Sequence, residues 1–333
     1  MHHYPIIVPK PCLSLKLQTV LRGKLHMTDL LQFRDASSMR KYSRQQRLAG
    51  KRIALVPTMG YLHAGHLSLV QAAKIRADIV IASIYVNPTQ FSKHEDFGVY
   101  PKAREEDHRK LLEVGCAAVF EPLSLYHPGS DSTEGKDDAS NVVGAGEHMA
   151  GAHETFIEVQ QLQKGLCGAS RPHFFRGVAT IVAKLFNIVE PDVAVFGKKD
   201  YQQWRVICRM VRDLDFDIEI VGVATGREAD GMAMSSRNAL LTPENRQKAV
   251  CISQALKWAD GQIAQGCVSP SDIQQEVKAR VQKAGGRLDY VSVTDAENLQ
   301  ELKQFETGQE VLVALAVFFG SVRLIDNVVT VTK

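Results

Sequence analysis

Short apolar runs alternate with helical patterns through the first two thirds of the chain. Runs such as IVIASIYV (79–86) are apolar throughout, which is typical of strands in a parallel sheet covered on both faces. The alternation predicts an α/β fold, a doubly wound, Rossmann-like parallel sheet. The predicted strands are 52–57, 79–86, 117–120, 192–196 and 217–223, and the predicted helices are 66–76, 104–114, 177–189 and 202–213.

The pattern changes after about residue 225. Helical stretches are predicted at 243–265 and 270–284, and strands at 288–294, 311–318 and 322–326. These elements indicate a smaller C-terminal α+β domain. The predicted division is an N-terminal extension over 1–28, a Rossmann-like domain over 29–225 with an acidic insertion at about 127–154, and a C-terminal domain over 226–333.

Composition excludes several classes of protein. The chain has 333 residues, 45% of them hydrophobic, which is enough for a large packed core. The net charge is only +3, and no basic block suggests a nucleic-acid partner. No apolar run approaches the roughly 20 residues of a membrane helix, so no membrane partner is expected. The six cysteines lack CxxC spacing, which favours reduced thiols over a disulfide framework or a zinc site.

The first 28 residues contain four basic residues and no acid. An acid-poor start is compatible with an organellar targeting segment. The alternative is an extension without a targeting role. Reduced thiols favour a cytoplasmic location, and mitochondrial import is the alternative expectation.

Two histidines three residues apart, His63 and His66, lie between a predicted strand and the start of a predicted helix. A helix N-terminus attracts anions, and an imidazole adds a hydrogen-bond donor there. Gly65 allows a ligand to approach the backbone closely. The spacing favours a phosphate site. The alternatives are a metal site, for which no third histidine or carboxylate lies nearby in sequence, and an ordinary core or capping histidine.

Polar residues follow four predicted strands, in VPTMG, YVNPTQF, FGKKD and VGVATGRE. In doubly wound sheets ligands bind beyond the carboxyl ends of the strands, so these clusters should converge on one edge. Lys199 can place charge on phosphate, and Asp200 can orient it or accept from a ribose hydroxyl. Asn87 and Gln90 offer amides to hydroxyls or carboxylates, and Gln203 faces the same crevice. Lysine-rich strand ends and proline-stabilised turns are the plainer interpretations.

Two further strings supply cations and hydroxyl groups. In MSSRN, two serines and Arg237 can clamp phosphate oxygens, although the string is also typical of a helix cap followed by a surface arginine. In RPHFFRG, Arg171 or Arg176 can meet an anion, although the string also fits an ordinary helix entry. Neither string is decisive alone.

Taken together, these strings resemble a known family. PTMGYLHAGH and MSSRN resemble the HxGH and KMSKS-like motifs of the class I aminoacyl-tRNA synthetase and nucleotidylyltransferase superfamily. With SIYVNPTQF, EDF…YP, SRPHFFRGV, FGKKDYQQ, EIVGV…READGMAMSSRN and RLIDN, they resemble the pantothenate synthetase (pantoate–β-alanine ligase) family. The resemblance implies a two-step ligation: pantoate attacks ATP to give pantoyl adenylate and pyrophosphate, and β-alanine then displaces AMP to give pantothenate.

The resemblance also implies roles for individual residues. His66 is the implied proton donor, and His63, Lys199 and Arg237 are also implied to be catalytic. Pantoate or β-alanine would contact Gln90, Gln203, Asn87 and Arg171. Mg²⁺ would lie mainly on the ATP phosphates, with an acid of the run 105–107, Glu106 or Asp107, as a candidate ligand. The implied ATP contacts are Met59, Gly60, His63, Gly65, His66, Gly197, Lys198, Lys199, Asp200, Gly226, Met234, Ser235, Ser236 and Arg237.

Other expectations follow from the same resemblance. The implied substrates are small molecules (ATP, pantoate and β-alanine), and the implied assembly is a homodimer. Three features depart from the family pattern: Lys198 stands where glutamate is usual, the acidic insertion is long, and the N-terminal extension lacks a counterpart. Two other functions compete with the ligase, a nucleotidylyltransferase acting on another small acceptor and an inactive relative kept as a nucleotide-binding module.

Overall fold

The computed structural model describes residues 30–91, 101–126, 153–266 and 268–333. The predicted N-terminal extension, nearly all of the acidic insertion and nearly all of the EDF…YP stretch lie outside these ranges. No helix in the described ranges is long and apolar enough to cross a membrane.

Nine strands and nine α-helices make up the described part of the chain. The strands are β1 (Leu31–Phe33), β2 (Ile53–Thr58), β3 (Ile79–Ile84), β4 (Ala118–Phe120), β5 (Val193–Gly197), β6 (Glu219–Val223), β7 (Arg287–Asp295), β8 (Glu310–Phe319) and β9 (Val322–Val331). The helices are α1 (Ala36–Leu48), α2 (Ala64–Lys74), α3 (Arg104–Glu113), α4 (Leu166–Ser170), α5 (Phe174–Val189), α6 (Tyr201–Asp213), α7 (Pro243–Ala249), α8 (Cys251–Gln265) and α9 (Pro270–Lys283).

Strands β1 to β6 form one parallel sheet in the order β1-β4-β3-β2-β5-β6. Helices cover both of its faces, and alternate residues of β2 show this directly. Ile53 and Leu55 pack in the core that includes α5 and α6, whereas Ala54 and Val56 pack in the core that includes α2. The predicted α/β sheet is therefore confirmed, and its inner strands β2 to β5 are apolar because neither of their faces meets water.

The order of the strands locates the place where a ligand is expected. From β2 the chain adds β3 and β4 on one side, and then returns to add β5 and β6 on the other. Adjacent parallel strands that diverge in this way leave a crevice at their carboxyl ends. The crevice here lies between β2 and β5, whose following loops carry the histidine pair and FGKKD.

The sequence did not predict β1 and α1. β1 has three residues and pairs only with β4 at the edge of the sheet. α1 buries only Met39 and Ser43, so it shows little apolar periodicity. Its start is fixed by Asp35, whose carboxylate accepts the backbone N–H of Ser38 at 2.7 Å.

The C-terminal region forms a separate antiparallel sheet in the order β7-β8-β9, packed against α8 and α9. The smaller α+β unit was predicted, but the single helical stretch 243–265 is two helices, which meet at Val250. β9 continues to Val331 instead of ending at 326. A domain division near residue 225 stays a prediction.

Candidate active site

A cavity of about 930 Å³ opens at the carboxyl ends of β2, β3 and β5 and is closed on its far side by β8 and β9. All four polar clusters that follow predicted strands reach it, through residues such as Met59, Gln90, Lys199 and Thr225. Asn327 of β9 lines the opposite wall. The expected convergence on one edge of the sheet is thus what the structure shows.

His63 and His66 lie together on the cavity wall, where α2 begins. His63 is the N-cap residue, and the two ring centroids are 4.0 Å apart. The backbone N–H of His63 donates to Nδ1 of His66 at 3.3 Å. Because Nδ1 accepts this bond, the neutral ring of His66 carries its proton on Nε2, which leaves that N–H as a donor.

Both histidines are neutral at pH 7. Burial, the neighbouring His63 and then Lys199 lower the pKa of His66 to about 3. Burial and then Lys199 lower the pKa of His63 to about 4. Within the described ranges, Nδ1 of His63 is buried without a hydrogen-bond partner. A bound phosphate would offset the cations and raise both pKa values, so the pair is suited to holding an anion.

The turn before His63 is bound by a carboxylate that lies outside the cavity. The carboxylate of Asp107 accepts the backbone N–H groups of Tyr61 and Leu62, each at 2.7 Å. Gly60, an implied ATP contact, has a φ of +85° and packs against this carboxylate without lining the cavity. Glu106 pairs with Arg109 at 2.6 Å. The structure therefore places neither candidate metal ligand on the cavity wall.

No group of three or more histidine, cysteine, aspartate or glutamate side chains in the described ranges can hold a metal ion. The acid of the KKD turn, Asp200, does line the cavity. A divalent cation at this site would have to take most of its ligands from a bound phosphate.

The KKD string forms a 3-10 turn, Lys198–Asp200, directly after β5. Lys199 lines the cavity, and its Nζ lies 3.9 Å from a carboxylate oxygen of Asp200. The side-chain amide of Asn327 donates to the carbonyl oxygens of Lys198 and Lys199, at 3.0 and 2.8 Å. This amide fixes the backbone from which Lys199 extends.

Lys198, in contrast, does not line the cavity. Its Nζ lies 4.6 Å from the ring centroid of Trp204, in a cation–π contact. Gly222 of β6 leaves room for both side chains, because a Cβ there would lie 2.7 Å from Lys198 Cε and 2.8 Å from Trp204. The structure thus does not support the ATP contact implied for Lys198, whose side chain lies against Trp204 instead.

The MSSRN string also reaches the cavity. Ser235 caps the 3-10 turn Ser236–Leu240, and Met234 to Arg237 all line the wall. Gly226 approaches the histidine loop closely, since a Cβ there would lie 3.3 Å from the Cα of Gly65. Met234 N–H donates to the carbonyl of Gly226 at 2.9 Å, so the start of MSSRN is bonded to the loop residue that packs against the HxGH motif.

Arg227 binds the loop that leads to MSSRN to strand β9. Its guanidinium binds both carboxylate oxygens of Asp326 on β9, at 2.8 and 3.1 Å. Asp326 is 3% exposed, so its carboxylate is shielded from water, whereas the side chain of Arg227 is partly exposed. Neighbouring residues of one strand, Asp326 and Asn327, thus hold two of the loops that line the cavity.

Gln90 lines the cavity, and Asn87 holds it there. Asn87 is 2% exposed, and its Nδ2 donates to Gln90 Oε1 at 3.1 Å and to the carbonyl of Gly177 at 3.2 Å. Its Oδ1 accepts from the hydroxyls of Thr89 and Tyr126, at 2.9 and 2.8 Å. Asn87 itself also lines the cavity, and these bonds occupy both the donor group and the acceptor oxygen of its amide, so it supports Gln90 in this structure.

Of the two arginines in RPHFFRG, only Arg171 lines the cavity. It donates to the carbonyl of Gln90 at 2.9 Å and lies 3.8 Å from the ring centroid of Phe174. Arg176 instead lies 4.5 Å from the ring of Phe156. Gln203 lines the same cavity from the first turn of α6, as predicted.

Sequence reasoning missed several residues that shape the site. Gln202 is 5% exposed and donates to three carbonyls of the segment before α4, those of Leu162, Lys164 and Gly165. The RLIDN string was noticed, but nothing in it showed which loops it holds. These contacts join positions far apart in the chain, which a single sequence does not reveal.

Comparison with known proteins gives consistent matches. The family model described as pantoate-beta-alanine ligase matches residues 32–329. A pantoate–β-alanine ligase of Arabidopsis thaliana is 51% identical over 300 residues, which cover 89% of this chain and 96% of that protein. A pantothenate synthetase of Desulfitobacterium hafniense is 45% identical over 292 residues, 87% of this chain and 95% of that protein.

Solved structures match in the same way. Pantothenate synthetase from Thermus thermophilus superposes with a TM-score of 0.75 at 36% identity, and the match covers 90% of this chain and 99% of that one. A pantoate-beta-alanine ligase from Francisella tularensis, solved with beta-gamma ATP and beta-alanine, gives a TM-score of 0.69 at 29% identity. That match covers 90% of this chain and 97% of the other.

Proposed function

Because the chain belongs to the pantoate–β-alanine ligase family, we propose that it condenses pantoate with β-alanine through a pantoyl adenylate. ATP is the co-substrate, and AMP and pyrophosphate are released. The proposal rests mainly on one observation: the neutral side chains of His63 and His66 line the same cavity as the cations Lys199 and Arg237. Gln90 lines the same cavity and can bind the acid that is activated.

The chemistry needs activation because a carboxylate is a poor acyl donor. In the first step a pantoate oxygen bonds to the α-phosphorus of ATP, and the bond from that phosphorus to pyrophosphate breaks. In the second step the β-alanine nitrogen bonds to the acyl carbon and loses a proton, and the bond from that carbon to AMP breaks. Both steps concentrate negative charge on phosphate oxygens, so fixed donors around them lower the barrier.

The residues around the cavity suit the first step. Nε2–H of His66 is the neutral donor directed by the bond at Nδ1, and it can hold an α-phosphate oxygen. Lys199 and Arg237 supply positive charge from two separate loops. Ser235 and Ser236 add hydroxyl donors beside Arg237.

The same cavity has a place for the acid. Gln90 and Gln203 present amides that can bind the hydroxyl and carboxylate groups of pantoate. Arg171 is held against the backbone of Gln90 and brings a cation to that end. We propose that it orients a carboxylate of pantoate or β-alanine.

Mg²⁺ is a further part of the proposal. It neutralises phosphate charge when bound, and it would enter on the ATP phosphates, because Glu106 and Asp107 are turned away from the cavity. We also propose a homodimer and a cytoplasmic location, as the family resemblance and the scattered cysteines imply. Light scattering on the purified protein and imaging of a tagged full-length chain test these two points.

Isotope exchange tests the function. We expect labelled pyrophosphate to enter ATP only when pantoate is present, and AMP to accumulate only when β-alanine is added. Exchange that does not need pantoate, with transfer of AMP to a phosphate acceptor, would support a nucleotidylyltransferase instead. ATP binding without either activity would support an inactive relative.

A further inference from the structure

A helix outside the cavity holds the turn that carries the histidine pair. Asp107, in the first turns of α3, is 1% exposed and accepts two backbone N–H groups, those of Tyr61 and Leu62, at 2.7 Å each. One carboxylate therefore fixes two successive peptide groups immediately before His63. Nothing in the proposed chemistry uses this carboxylate.

The conformation of the turn explains why such support is needed. Gly60 and Tyr61 have φ values of +85° and +53°, so two successive residues lie in the left-handed region. Glycine adopts this conformation freely, whereas a residue with a side chain such as Tyr61 is strained there. The carboxylate of Asp107 accepts the N–H group of Tyr61 itself, and this hydrogen bond offsets the strain in the backbone of Tyr61.

Lys110 also binds the turn before His63. It lies three residues after Asp107, on the same face of α3. Its Nζ donates to the carbonyl oxygen of Leu62 at 2.8 Å. Both polar groups of the Leu62 backbone are therefore held by one helix. The positive charge of Lys110 also lowers the pKa values of His63 and His66, by less than burial and Lys199 do.

We infer that Asp107 and Lys110 are positioning residues, which set where His63 and His66 meet the nucleotide phosphate. The inference rests on the proposed function, because it assigns these residues no chemistry of their own. It also gives Asp107 a role other than metal binding, since both of its oxygens are engaged and buried. Placement matters because a displacement of about 1 Å at a reacting group can lower a rate about 10²-fold.

Asp107→Asn tests the carboxylate. The variant keeps the shape but turns an NH₂ group toward a backbone N–H. We expect kcat of pantoate-dependent exchange to fall about 10- to 100-fold, with the KM for pantoate little changed. Asp192→Asn is the matched control, because Asp192 accepts the N–H of Ile53 at 2.7 Å at the opposite end of β2. It should keep the wild-type kcat, and an equal loss in both variants would overturn the inference.

Lys110→Met tests the second contact with a readout that a purely structural role would not move. We expect kcat to fall and the protonated fraction of both histidine rings at pH 5 to rise, as measured by NMR of histidine-labelled free enzyme. The other charges that face the rings, Lys199, Asp200 and Glu228, are unaltered. Lys74→Met is the matched control, since Lys74 donates to the carbonyl of Val114 at 2.9 Å and also joins α2 to α3.

These measurements separate the inference from the function on which it rests. A wild-type enzyme without pantoate-dependent exchange would contradict the proposed function. An active wild type with an equally active, folded Asp107→Asn variant would contradict the positioning role alone. If Asp107→Asn fails to fold, Lys110→Met decides: unchanged kcat and unchanged ring protonation would overturn the inference, and the expected changes in both would support it.

Discussion

The amide of Asn327 donates to the carbonyl oxygen of Lys199 across 128 residues of chain, at 2.8 Å. It also donates to the carbonyl of Lys198 at 3.0 Å, so one side chain of β9 fixes two successive peptide groups of the turn after β5. The position of the Lys199 ammonium group in the cavity therefore depends on the C-terminal sheet as well as on its own strand.

Asn327→Ala should weaken ATP binding and slow adenylation. The variant leaves two carbonyls without their partner, and we expect roughly a tenfold rise in the Kd for ATP, the size of effect that corresponds to about 1.4 kcal/mol. Calorimetric titration with ATP measures this. Asn298→Ala removes only an exposed contact with Arg209 and should bind ATP like the wild type. Equal affinities for all three proteins would show that Asn327 does not position Lys199.

His66→Ala should lower the adenylation rate by at least about 10²-fold, the usual loss on removing a donor to a transition-state oxygen. Rapid-quench measurement of a single turnover with ATP and pantoate reports this step directly. His108→Ala is the control, because Nε2 of His108 lies 3.3 Å from a carboxylate oxygen of Glu121 and the residue does not line the cavity. A near-normal rate in the His66 variant would remove this residue from the chemistry.

Gln90→Ala should weaken pantoate binding far more than ATP binding. The variant loses an amide on the cavity wall, which corresponds to roughly a tenfold change in the Kd for pantoate. Separate titrations with each ligand give the two constants. Similar weakening of both would mean that the side chain only supports its neighbours Met59 and Asn87.

Lys198→Glu should leave adenylation within a few-fold of the wild type, because Lys198 faces Trp204 and not the cavity. Loss of the cation–π contact should lower the free energy of unfolding by about 0.5–1 kcal/mol. The adjacent Lys199→Ala is the contrasting variant, and its adenylation rate should fall much further. Comparable losses of rate in both variants would place Lys198 at the phosphates.

Stability of the free enzyme should fall as the pH drops from about 6.5 toward 4. In the folded state burial lowers the pKa of His63 to about 4 and that of His66 to about 3, both below the ordinary value of 6.5. The unfolded chain therefore binds more protons in this range, and the free energy of unfolding falls by at most about 1.4 kcal/mol per pH unit for each histidine, and by less for the partly exposed His63.

Urea denaturation at pH 7, 6 and 5 checks this dependence. A variant with both histidines changed to glutamine should lose stability less steeply over the same range, because its folded state no longer excludes two protons. Parallel pH profiles for the variant and the wild type would contradict the expectation.

Much of the fold could be predicted from the sequence because the strands of the central sheet are buried on both faces. β2 to β6 are short and mostly apolar, and each was predicted to within a few residues. β1 and α1 were missed because an edge strand and a mostly exposed helix carry little apolar patterning. The break at Val250 was missed because no proline or glycine marks it.

The parts of the site that could be predicted are those whose functional residues lie close together in the sequence. The histidine pair, KKD and MSSRN each show their residue types within a few positions, and all three reach the cavity. The contacts of Asp107 and Asn327 could not be predicted, since their partners lie 46 and 128 residues away. The sequence also could not show that the side chain of Lys198 lies against Trp204, because this contact depends on the space that Gly222 leaves on the next strand.

Asp326 and Asn327 are consecutive, and each fastens a different loop of the cavity. Their positions follow from the pairing of β9 with β8, in which Asp326 stands opposite Leu315 and Asn327 opposite Ala314. A slip of one residue would put Ile325 in the place of Asp326, or Val328 in the place of Asn327. An insertion or deletion in the short hairpin between Phe319 and Val322 should therefore change which residues of β9 face these loops. The hairpin also lines the cavity through Ser321 and Val322, so a change in its length should displace both this wall and the two loops that Asp326 and Asn327 hold.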